Sequence, residues 1–128
     1  MIKNILKQLD RLKMSKFRSH FKLTIKDKEY IKNKGLQVIK EHAYKFIEMR
    51  LASAIILNDG KQTPMKGHPV FIAQHATATC CRNCLYKWYG IEKGRELTKE
   101  EIDYIVLIIM QWININFNEE IYEKRRLY

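Results

Sequence analysis

Apolar residues recur at helical spacing along several stretches of the chain, and clusters of polar turn formers separate them. Ile2, Ile5, Leu6, Leu9 and Leu12 share one face of an amphipathic helix that ends near Met14. A basic connector over residues 15–22 follows. Thr24, with Asp27 three positions on, predicts a capped short helix that Gly35 terminates. Leu36, Ile39, Ala43, Phe46, Ile47 and Leu51 mark the face of a longer helix, with His42 beside it. Residues 54–57 fit either a short strand or the end of that helix, because periodicity does not separate the two over so short a run.

Residues 58–67 are rich in turn formers and predict an extended loop. Pro69 to Ala76 reads as a short helix with proline in its first turn. Thr77 or Thr79 then caps another helix, which Gly90 stops. Thr98-Lys-Glu-Glu101 is a capping box ahead of Ile102, Ile105, Val106, Ile109, Trp112 and Ile113, the most hydrophobic helix and the expected centre of the core. Its apolar run implies burial on most sides and admits a homo-oligomeric contact through residues 102–113. The tail begins helical and ends on Lys124-Arg-Arg126.

The pattern predicts an all-α fold, mainly helical with room for one short strand or hairpin, in a single compact domain. Residues 1–14 form its N-terminal amphipathic helix, 15–117 the helical body and 118–128 a basic tail. A length of 128 residues allows one real core and no second. With 46% hydrophobic and 30% charged residues the composition is globular and excludes disorder over most of the chain. No apolar run reaches the roughly 18 residues of a membrane helix, and the lysine-studded N-terminus lacks a leader's cleavage site, so a cytoplasmic protein with no membrane partner is expected.

Charge narrows the partners. The net charge is +10, and residues 1–34 carry eleven Lys and Arg against three acidic residues. A basic end of this kind suits a nucleotide or nucleic acid, since neutralising phosphates releases condensed counterions; a lysine-rich solubilising face is the plain alternative.

The chemistry is crowded into residues 67–88, which hold His68, His75 and all three cysteines, Cys80, Cys81 and Cys84. An odd number of cysteines, two of them adjacent, argues for thiols or metal ligands over disulfides. On a helix, Cys80 or Cys81 can face the same point as Cys84, near a helix start that favours thiolates. One reading is a zinc or iron site on Cys81 and Cys84, completed by Cys80, His68 or His75. The others are a Cys81/Cys84 redox pair, which lacks a βαβ context, and cysteines packed as small apolar residues. His75, flanked by small residues, and Asp59 are candidate proton-transfer groups. Thr77 and Thr79 are most simply caps; with their side chains free they would form an anion pocket at a helix start, where Lys61, Lys66 and the two-pronged Arg82 add charge. Lys16 and Arg18 supply charge from the basic connector.

The string Gly67-His-Pro-Val-Phe-Ile-Ala-Gln-His-Ala-Thr-Ala-Thr-Cys-Cys-Arg82, followed by Cys84-Leu85, Lys87-Trp88, Gly90-Ile91, Lys93-Gly-Arg95 and Leu97-Thr98, resembles the family DUF4186, a domain of unknown function. Ser15-Lys-Phe-Arg-Ser19 and Asp59-Gly-Lys-Gln-Thr-Pro-Met65 resemble its earlier motifs. The resemblance spans about Ser15 to Ile113, implies no activity, and marks the 59–65 loop and the His/Cys string as one composite site. Tyr89 stands where the family pattern has a histidine after tryptophan, so no ligand is expected there.

The favoured expectation is a binding module: a small basic helical protein holding a phosphate-bearing ligand around residues 59–84, in the manner of a nucleotide-sequestering counter-defence protein. The alternatives are a metal-dependent enzyme using zinc or iron, against which stands the lack of a carboxylate inside the dense segment, and a structural interaction scaffold.

Overall fold

The structure, a computed structural model, describes residues 2–118, with side chains from Asn4 onward. These residues form six helices: α1 (Ile2–Lys13), α2 (Ile25–Lys34), α3 (Leu36–Arg50), α4 (Pro69–Ala76), α5 (Arg82–Tyr89) and α6 (Lys99–Phe117). A 3₁₀ turn, Arg18–His20, lies in the connector between α1 and α2. The described residues contain no strand, so the all-α expectation holds; residues 54–57 are neither strand nor helix.

Local chemistry sets the helix bounds. The Thr24 hydroxyl accepts from Asp27 N–H while the Asp27 carboxylate accepts from Thr24 N–H, which opens α2. Gly35, at φ 83°, closes α2 and opens α3, a conformation that an L side chain resists. His68 caps α4 by accepting from Val70 N–H, ahead of Pro69 in the first turn. Thr98 and Glu101 form the capping box of α6.

Helix α6 lies against α3 and α4, and its Ile105, Val106, Ile108, Ile109 and Ile113 are buried. Ile39, Ala43 and Ile47 meet it from α3, and Val70 and Ala73 from α4. Ile5, Leu9 and Leu12 of α1 join the same core. Much of the apolar character of residues 102–113 is thereby spent inside the chain; Leu107 is 38% exposed. No described helix is long and apolar enough to cross a membrane. The basic tail expected over 118–128 lies, from residue 119 on, outside the described residues.

Candidate metal centre

A sharp reversal between α4 and α5 gathers the cysteines. Thr79 N–H reaches back to Gln74 O (2.8 Å) and Ala78 N–H to His75 O (3.4 Å), a Schellman closure in which Ala78 takes the left-handed conformation at φ 57°. The chain then runs extended through Cys81, whose sulfur caps α5 by accepting from Cys84 N–H (3.3 Å). Helix α5 therefore starts at Arg82, later than a threonine cap would place it. The physical reason is that Thr77 and Thr79 close on the preceding helix: Thr77 Oγ1 donates to Ala73 O (2.7 Å), so the 3.0 Å contact between the two hydroxyls has Thr79 as donor.

Cys80 precedes the helix, Cys81 caps it and Cys84 lies in its first turn. The Cys80 and Cys84 sulfurs are 3.7 Å apart, and all three sulfurs lie within 4.8 Å of one another. Tetrahedral zinc, with bonds of about 2.3 Å, spaces its thiolates about 3.8 Å apart, so this cluster could hold a metal ion. Among the described residues no histidine or carboxylate joins it. Arg18 packs against it from the connector: Nη2 donates to Cys84 Sγ (3.1 Å), and Nη1 to Cys80 Sγ (3.5 Å) and His75 O (2.8 Å).

The electrostatics are uneven. Hydrogen bonds from the Cys80 and Cys81 thiols, with the Arg18 charge beside them, hold Cys84 far below the usual thiol range. The bonds that Cys80 makes to Cys81 and Cys84, with its burial, push it far up. At Cys81 the Cys80 contact lowers and the Cys84 contact and burial raise, with a net rise. Burial pulls the Arg18 guanidinium down, but its bonds to the sulfurs and their charge more than offset this. One thiolate beside one guanidinium is the result.

The other sequence candidates lie elsewhere. His75 is buried where accessibility was expected: its ring stacks on Phe21, and its Nε2 faces Thr63 O (3.2 Å) and Pro64 O (3.0 Å), two acceptors, so that nitrogen carries the proton. His68 is remote from the sulfurs, pairing its Nε2 with His42 Nδ1 at 3.0 Å inside a cage of Tyr30, Phe46 and Phe71. Arg82, 3% exposed, donates to four backbone carbonyls: Leu51 and Ser53 (both 3.0 Å), Glu92 (2.6 Å) and Arg95 (2.8 Å). Asp59 accepts from Arg82 N–H at the start of α5 and from Gln62, with Lys93 at 3.9 Å. Thr77 and Thr79 are fully enclosed, so the anion pocket expected of them is closed. Lys16, Lys61 and Lys66 are exposed.

The sequence pattern gave no sign of Thr63, whose buried hydroxyl donates to Cys80 O (2.8 Å) and accepts from Gln74 (3.3 Å). Nor did it mark Arg18 as a thiolate partner. Both sit in the motifs Ser15–Ser19 and Asp59–Met65, which the family resemblance ties to the His/Cys string. The Tyr89 hydroxyl donates to Thr77 O and braces the same turn.

Fold and site thus define a small all-helical domain that carries a three-cysteine cluster between α4 and α5. The chain belongs to the DUF4186 family, described as a domain of unknown function, whose model matches residues 6–114. No solved structure matches it.

Proposed function

We propose that the protein is a zinc-binding domain in which Cys80, Cys81 and Cys84 supply three thiolate ligands and a group from outside the cluster takes the fourth position. The supporting observation is the sulfur spacing: 3.7 Å between Cys80 and Cys84, in a trio no wider than 4.8 Å. Three thiolates around a divalent ion leave one negative charge, and Arg18, donating to two of the sulfurs, balances it where Cys80 and Cys81 are buried. The Cys84 amide donating to Cys81 Sγ stabilises that thiolate in the same way. Soft sulfur ligands favour zinc over magnesium or calcium. Three protein ligands with one open position is the arrangement zinc uses to take up and polarise a small molecule.

A phosphate-bearing ligand around residues 59–84 has less support, because Thr77, Thr79 and Arg82 spend their donors inside the protein. Elemental analysis of the untagged protein is expected to give about one zinc per chain. Cobalt substitution should give thiolate-to-metal charge-transfer absorption, and Cys84→Ser should weaken zinc affinity by about tenfold or more. Protein purified in the presence of zinc that holds no metal and gives no cobalt spectrum overturns the reading. Iron in place of zinc would keep the site and replace the ion.

A further inference from the structure

A cavity of about 230 Å³ opens where the end of α1, the connector, the end of α4 and the C-terminal half of α6 meet. Among the described residues its charged lining is of one sign: Lys13, Arg18 and Lys22 face it and no carboxylate does. Lys13 and Lys22 are exposed, and neither pairs with a described residue. Arg18 is pinned by His75 O and the two cysteine sulfurs, where the Cys84 thiolate matches its charge, so the unmatched cations of the cavity are Lys13 and Lys22. Cations held in a concave site without counter-charge repel one another, and a bound anion relieves that repulsion. Aromatic surface is present too. Trp112 and Phe21 line the cavity, and Phe21 is fixed by stacking on His75, with centroids 5.4 Å apart and planes 18° apart.

We infer that this cavity binds a small phosphate monoester carrying a flat ring, a nucleoside monophosphate by chemical class. The phosphate lies between Lys13 and Lys22, and the ring against Trp112 and Phe21. The volume falls below the roughly 300–1,000 Å³ of sites that enclose a whole drug-sized ligand, so part of the ligand stays outside. The site lies outside the 59–84 segment and meets the cysteine cluster only through Arg18. It needs no metal, so its failure and that of the zinc reading are separate results.

The test is calorimetric titration of the full chain with adenosine 5′-monophosphate and, separately, inorganic phosphate at low salt. The monophosphate is expected to bind, phosphate alone to bind at least tenfold more weakly, and Lys13→Glu and Lys22→Glu each to weaken the monophosphate about tenfold. Lys40→Glu, on α3 and exposed outside the cavity, should change it less than about twofold. No binding at millimolar monophosphate overturns the inference. So does an equal loss in Lys40→Glu, which assigns the effect to general charge. Tighter binding of a single-stranded oligonucleotide, with loss shared by all three lysine variants, also overturns it and assigns the basic surface to nucleic acid.

Discussion

Four backbone carbonyls converge on the Arg82 guanidinium, two from the 51–53 stretch and two from the 92–95 stretch. Neither stretch is itself helical, and this side chain ties both to the start of α5. A lysine at this position has three donors on a tetrahedral ammonium and cannot meet four acceptors spread around a planar fork. Arg82→Lys is therefore expected to cost about 3 kcal/mol, since buried carbonyls are left unpaired, and to move the urea midpoint accordingly without changing its slope. A loss below about 1 kcal/mol would show that the four bonds do not stabilise the fold. From the sequence Arg82 reads as a two-pronged phosphate binder, and in the structure its donors meet main-chain carbonyls. The sequence could not show whose oxygens, because phosphate and main-chain carbonyl make the same demand on a guanidinium. The same ambiguity hid Arg18, whose partners proved to be sulfurs 62 and 66 positions away in sequence.

Helices with a polar cap and a periodic face are legible in the sequence: α2 through Thr24 and Asp27, α4 through Pro69, and α6 through Thr98 and Glu101. The start of α5 is not. The usual mark of a Schellman closure is glycine, and here Ala78 occupies the left-handed position, fully enclosed. With no glycine to announce the turn, Thr77 and Thr79 read as caps of the next helix. An alanine in that conformation carries a strain of about 1 kcal/mol, and a β-branched side chain carries more. Ala78→Val should lower stability by about 2 kcal/mol or more, by adding both strain and volume where there is no space. Ala78→Gly should stay within about 1 kcal/mol of the parent, since relief of strain offsets the lost methyl. Thermal melts of the two variants decide this. A valine variant as stable as the parent would mean that the turn relaxes, and the sulfur geometry that depends on it would relax with it.

Across the whole molecule, acidification acts on a chain already at +10, and one buried group gives the response a definite window. His68 sits in its aromatic cage at 9% exposure, and burial, with the neighbouring His42, depresses its pKa to about 4, Asp27 opposing. Its Nδ1 accepts from Val70 N–H, so the ring is neutral with the proton on Nε2, donated to His42 Nδ1. Protonation costs α4 its cap and sets a cation against His42, beside a second cavity that His68 lines together with Lys26, Lys66 and Asp27. Between about pH 6.5 and pH 4 the unfolded chain binds this proton and the folded chain does not. Stability from this group is therefore complete above about pH 6.5 and falls with pH through that window, by at most about 3 kcal/mol. General repulsion among the basic residues also grows as carboxylates protonate, so a control has to separate the two. His68→Asn keeps an N-cap acceptor for Val70 and cannot titrate. The variant is expected to be less stable than the parent at pH 7, where the His42 contact is missing, and to lose clearly less stability than the parent between pH 6.5 and pH 4. Parallel pH profiles for parent and variant would assign the acid sensitivity to the molecule's overall charge and remove His68 from the account.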